Sequence, residues 1–196
     1  MKQISFLFPL AIIIGLFSCG EEEVKMPKPR GYFRLDIPVS SYQAYTGDCP
    51  FSFELPVYSK MVMDTGRNSE KCWANIEFPS MRGKIHLTYR PIIRNLDTIT
   101  MDARSLAYKH SVKAKAIDEY LISMPEKAVY GMVYEIGGDA ASSIQFYVTD
   151  STRHFLRGSL YFSASPNSDS LSPVLKRVRE DIEHLIKTFQ WKNSTN

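Results

Sequence analysis

The chain has 196 residues, of which 44% are hydrophobic, 23% charged and 12% aromatic, a profile that excludes a disordered or collagen-like protein. Its 24 basic and 21 acidic residues leave a net charge of +3 with both signs interspersed, which excludes the concentrated basic face of a dedicated nucleic-acid binder. Three cysteines exclude both a disulfide-dense scaffold and a four-cysteine zinc site.

The chain opens with Met1-Lys2 and an apolar run from Ile4 to Phe17. A short positive start and a run shorter than the roughly 20 residues that cross a bilayer predict a signal peptide over residues 1–18. Leu16-Phe17-Ser18-Cys19 resembles a bacterial lipobox, with the bulky Phe17 in place of the usual small residue. The resemblance implies cleavage after Ser18, a diacylglyceryl group on the Cys19 sulfur and acylation of the new amino terminus, palmitate being the acyl group expected. Two or more acyl chains give stable attachment, each buried methylene contributing about 0.8 kcal/mol. Cys19 is thus the expected membrane anchor. Glu21-Glu22-Glu23 is either a solvated spacer or a resemblance to the surface-export signals of Bacteroidetes lipoproteins. Residues 19–30 end in Met26-Pro27-Lys28-Pro29-Arg30, whose alternate prolines favour an extended chain. This lipidated, Pro-rich tether reaches about 37 Å at about 3.1 Å per residue.

Residues 31–196 are expected to form one domain. Phe51–Leu55 alternates as a half-buried strand does, and Val57–Met63 is a weaker candidate. Trp73–Phe78 and Lys84–Tyr89 alternate about the connection Pro79–Gly83, predicting a hairpin. Leu96, Ile99, Ala103, Leu106 and His110 fall at helical spacing and predict a helix over Asn95–Lys113. Strands follow at Ile117–Met124, Val129–Ile136, Ser143–Thr149 and Phe155–Phe162. Gly137-Gly138-Asp139 and Asp150-Ser151-Thr152 serve as turns, and Ser163–Ser172 as a loop. Ser172 as N-cap and Pro173 as first residue then open a terminal helix with the stripe Val174, Leu175, Val178, Ile182, Leu185, Ile186 and Phe189. The order predicts an α+β domain, a largely antiparallel sheet packed by helices. With the closing Phe189-Gln190-Trp191, it is similar to the Mog1/PsbP-like arrangement.

Catalytic signatures are sparse. His86, His110, His154 and His184 form no close zinc pair, and His184 is expected on the polar side of the terminal helix. No nucleophile elbow or phosphate-binding glycine motif occurs, so no metal, cofactor or catalytic residue is expected. Cys49 and Cys72 either form one disulfide or remain separate thiols. The densest polar segment is Tyr147 to Gly158. Three readings apply to it: a turn closed by Asp150 and Ser151, a recognition stripe of Arg153 and Arg157 at the same strand parity, and an Asp150/Ser151/His154 hydrolase set. The turn ranks first and the hydrolase last.

Gln145-Phe146-Tyr147-Val148-Thr149-Asp150-Ser151-Thr152-Arg153-His154-Phe155-Leu156-Arg157-Gly158, then Leu160-Tyr161-Phe162, is long and unusual in composition. Together with Pro27-Lys28-Pro29-Arg30-Gly31-Tyr32 and the stretch Leu171–Trp191, it resembles the gliding-motility lipoprotein GldD family of Bacteroidetes. The resemblance implies a cell-envelope lipoprotein needed for gliding and for the associated type IX secretion, with no catalytic residue to carry over. It implies lipid anchoring through Cys19 in the outer membrane, the periplasmic face favoured and surface display the alternative. Partners would be other gliding and secretion proteins, with no nucleic acid and no known small-molecule ligand. Lys28, Arg30, Tyr32, Asp150, Arg153, His154 and Arg157 form the candidate partner surface. Asp97-Thr98-Ile99, Asp150-Ser151-Thr152 and Asp169-Ser170-Leu171 resemble Bacteroidetes O-glycosylation sites. The alternative function is an envelope ligand- or glycan-binding module using the sheet–helix cleft, lined by aromatics such as Tyr32, Tyr42, Tyr45 and Trp73.

Overall fold

The computed structural model describes residues 39, 41–109, 114–138, 140–163 and 168–192, with side chains described from 172 onward in the last segment. The chain divides into units Met1–Gly31 and Tyr32–Asn196, and every described residue belongs to the second. The leader, Cys19, the tether with Lys28 and Arg30, Tyr32, His110 and Asp139 lie outside the described residues. No helix among the described residues is long and apolar enough to cross a membrane.

Ten strands and two α-helices make a mixed α+β fold with antiparallel pairing throughout the described residues. In chain order the strands are β1 (Tyr42–Tyr45), β2 (Phe51–Pro56), β3 (Lys60–Met63), β4 (Ala74–Phe78) and β5 (Gly83–Pro91). After α1 (Leu96–Tyr108) come β6 (Ala114–Met124), β7 (Val129–Gly138), β8 (Ile144–Thr149) and β9 (His154–Phe162). Helix α2 (Ser168–Thr188) and β10 (Gln190–Trp191) close the chain. The large sheet has the order β3-β4-β5-β9-β8-β7-β6, and the small one β1-β2-β10.

Alternation gives the large sheet two distinct faces. One carries Ile76, Phe78, Ile85, Leu87, Phe146, Val148, Leu156 and Leu160 into a single core. The α2 stripe Val174, Val178, Ile182, Leu185 and Ile186 enters the same core with Phe51, Phe53 and Leu55 of β2. Phe189 is fully buried and stacks on both Phe51 and Phe53, fastening the end of α2 to the small sheet. The opposite face holds two smaller clusters, where Ile99, Ala103 and Ala107 of α1 meet Phe155, Tyr134 and Ile136.

Both long hairpins turn in the same way. Pro79–Met81 and Pro125–Lys127 are 3-10 turns opened by proline and closed by a left-handed residue, Arg82 or Ala128, each at φ 49°. Gly158 is required for packing, since a Cβ there would collide with the Phe146 ring on the neighbouring strand.

Several sequence expectations need correction. The first helix ends at Tyr108, because residues from Ala114 join β6. Helix α2 starts at Ser168, not Ser172, so Pro173 lies inside it. Ser168, Asp169 and Ser170 are residue types that favour a helix start. Strand β7 runs on through Gly137 and Gly138. The short β1 and β10 have no strand pattern of their own and exist as partners of β2.

Cys49 and Cys72 form a disulfide with Cα atoms 5.6 Å apart across a separation of 23 residues. Cys49 precedes β2 and Cys72 precedes β4, so the bond joins the small sheet to one end of the large one. Replacing both cysteines by Ser should lower the unfolding free energy by about 3 kcal/mol in the chain-entropy picture. Urea unfolding measures this, and unchanged stability would contradict the bridge's role.

Candidate functional site

The polar segment between β8 and β9 is a tightly bonded turn. The Asp150 Oδ1 accepts the backbone N–H groups of Thr152, Arg153 and His154 at 3.0, 2.8 and 2.8 Å. Burial pushes the Asp150 carboxyl up, but the donated bonds from Arg153, His154 and Thr152 outweigh it and hold its pKa below the ordinary value. The Ser151 N–H donates to Thr149 Oγ1 at 2.9 Å, and Thr149 Oγ1 donates to the His154 carbonyl at 2.7 Å. Ser151 takes a left-handed φ of 64°.

His154 points to the core side of the sheet. Its Nδ1 pairs with the Tyr89 hydroxyl at 2.8 Å, and its ring stacks on Trp191 at 5.2 Å. Burial lowers its pKa, with Asp150 raising it and Arg153 lowering it in turn. The Asp150 carboxylate is thus spent on backbone donors and the imidazole Nδ1 on Tyr89, while the buried Nε2 has no partner among the described residues. The structure does not assemble the Asp150/Ser151/His154 set.

The two arginines also separate. Arg153 sits in the turn ahead of β9, its side chain 61% exposed and 3.9 Å from Asp150 Oδ2. Arg157 lies within β9 on the α1 side of the sheet and donates from Nη2 to Gln145 Oε1 at 2.5 Å. They form no common stripe, because Arg153 precedes the strand whose alternation was to align it with Arg157.

A second polar system is one the sequence reading missed. Asp181 of α2 is 2% exposed and accepts hydrogen bonds from the hydroxyls of Tyr42 and Tyr58. The Arg177 Nη2 donates to Asp181 Oδ1 at 2.5 Å, and Nε donates to Tyr58 at 3.0 Å. One turn on, His184 pairs with Glu54 at 2.6 Å and stacks on Tyr42 with centroids 3.6 Å apart. His184 therefore lies on the polar side of α2, where Glu54 and Tyr42 of the small sheet meet it. The i, i+4 pair Arg177 and Asp181 was the available signal, but its buried position depends on tertiary packing. A buried pair this fully bonded orients α2 without necessarily adding stability.

Of the aromatics expected in a cleft, Tyr42 serves this network and Tyr45 packs on Phe51 and Phe53. Trp73 alone among those described lines a cleft of about 390 Å³ between α1 and strands β5 and β9. Arg157, Arg90, Lys109, Asp102 and Phe155 line it as well.

Against known proteins, the family described as gliding motility lipoprotein GldD matches residues 22–191. No curated protein matches the chain. Among solved structures, cyanobacterial PsbP from Synechocystis aligns with a TM-score of 0.46 at 10% identity, covering 80% of this chain and 95% of that one.

Asp150→Asn should destabilise the β8–β9 hairpin by about 1–3 kcal/mol through weakened buried acceptors. The folded carboxyl titrates below the unfolded value of about 3.9, so the advantage of Asp150 over Asn is complete above about pH 4.5. It fades as pH falls through the lower folded value. Chemical unfolding at pH 7 and pH 3 reads the difference, and equal penalties at both would contradict the assignment.

Proposed function

The chain belongs to the gliding motility lipoprotein GldD family, and from that premise we propose a role as an accessory or stabilising component of the gliding machinery and its associated type IX secretion. Membership carries lipid-anchored association with the cell envelope. On this proposal the anchor is Cys19, set in the outer membrane, with the folded domain on the periplasmic face in preference to the cell surface. The protein holds other envelope components and performs no reaction of its own.

The observation that carries this proposal is the family match over nearly the whole folded body. Asp150 is committed to closing the hairpin and His154 to Tyr89, which suits a binding body without chemistry. An open edge gives such a body a means of attachment. Strand β6 lies at the end of the large sheet, runs eleven residues and leaves Leu121 76% exposed. Long open edges can accept a further strand from another chain.

One observation favours a second reading, a ligand-binding module. The cleft beneath α1 has the size of a small-molecule site.

Cys19→Ala in the full chain should move the protein out of the membrane fraction, as judged by carbonate washing. Capture of the wild-type protein from detergent-solubilised membranes should co-purify gliding and secretion proteins. Retention of the variant in the pellet contradicts the anchor, and capture of none under conditions that keep other envelope complexes intact contradicts the accessory role.

A further inference from the structure

The cleft between α1, β5 and β9 has an electrostatic imbalance that packing does not explain. Three cationic side chains, Arg90, Lys109 and Arg157, line it against the single carboxylate of Asp102. Arg157 is the unusual member. It is opposite Thr88 on β5 and Tyr147 on β8, in the interior of the sheet face. Burial lowers its pKa, as expected of a guanidinium withdrawn from water.

Among the described residues its hydrogen-bond partner is neutral, the amide oxygen of Gln145. No carboxylate of the described residues lies within ion-pair distance of it, whereas Arg177 on the other face is met by Asp181. Gln145 and Ser159, 1% and 2% exposed, flank it as a directly opposed cross-strand pair. The Gln145 Nε2 and Ser159 Oγ have no hydrogen-bond partner among the described residues. A partly buried charge whose described partner is neutral costs stability unless something of opposite charge completes it. Walls formed by Trp73, Ile99 and Phe155 add apolar surface next to the charge.

We propose that this cleft binds a small oxyanion, a carboxylate or phosphate carried on a compact body, with Arg157 as the principal anion-binding residue and Arg90 and Lys109 as secondary ones. The volume of about 390 Å³ lies at the small end of ligand sites, which suits a sugar acid, small organic acid or phosphate ester rather than a polymer. The planar guanidinium can present two parallel donors to either oxyanion, and the apolar walls can hold the body that carries it. Asp102 opposes the anion and sets a limit on its charge. The proposal deepens the ligand-binding reading and is independent of the accessory role, whose own test is partner capture.

The test is calorimetric titration of the full chain, purified in a non-ionic detergent, with inorganic phosphate and separately with acetate at constant ionic strength. Saturable binding of phosphate assigns a phosphate site, saturable binding of acetate a carboxylate site, and binding of neither overturns the proposal. Arg157→Met should weaken binding by at least about tenfold, in line with loss of a charge-assisted bond. An unchanged affinity would overturn it. The double variant Q145L/R157M removes donor and acceptor together and should lose binding while keeping the thermal midpoint at or above wild type. Binding retained by this folded double variant would contradict the proposal. Should either Arg157 variant fail to fold, Asp102→Asn carries the test: residue 102 is exposed on α1, and its substitution should tighten binding several-fold. An affinity that Asp102→Asn leaves unaltered would also count against the site.

Discussion

The apolar stripe of α2 is the constraint on which the rest depends. Val174, Val178, Ile182 and Leu185 are each at most 2% exposed, and fully burying such a side chain contributes about 1.5–3 kcal/mol. The stripe has two customers at once, β2 of the small sheet and the inner face of the large sheet. Without the helix neither sheet could keep that surface from water. Phe189 ends the stripe as a wedge against Phe51 and Phe53, and the Asp181–Tyr42–Tyr58 bonds fix the rotation of the helix about its axis. The disulfide then holds the small sheet at one end. The other face of the large sheet receives only three fully buried residues from α1. That thin cover leaves room for the cleft.

The same asymmetry bears on function. On the α2 side Asp150, Asp181 and His154 Nδ1 are engaged, while the buried His154 Nε2 and Trp191 Nε1 have no hydrogen-bond partner among the described residues. Asp150 closes its hairpin, His154 is held between Tyr89 and Trp191, and Asp181 is fully bonded. On the α1 side the hydrogen-bond partner of Arg157 among the described residues is neutral. Membership in a gliding motility lipoprotein family does not conflict with the proposed small-ligand cleft, because the β6 edge and the residues that line the cleft are different parts of the domain.

Most elements were legible in the sequence because their periods are set by burial on one face. The strands from Phe51 and Lys84 and the stripe of α2 are direct cases. β1 and β10 were not legible: four residues and two residues cannot show a period, and each is defined by hydrogen bonds to β2. The turn at Asp150 was legible from local chemistry, since Asp and Ser bond to their own neighbourhood. The partner stripe was not, because parity holds only within a strand and Arg153 lies before one. The buried network at Asp181 joins residues more than a hundred positions apart, and the cleft arises from how α1 crosses β5 and β9. Both are products of topology, which no local pattern encodes.

Native-state hydrogen exchange on the full chain tests this two-faced construction most directly. Amides of α2 and of the central strands β5, β8 and β9 should exchange only through global unfolding, while those of α1 should open at a distinctly lower free energy. Exchange of α1 as slow as that of α2 would show that the thinly covered face is as firmly closed as the packed one, and would contradict the account.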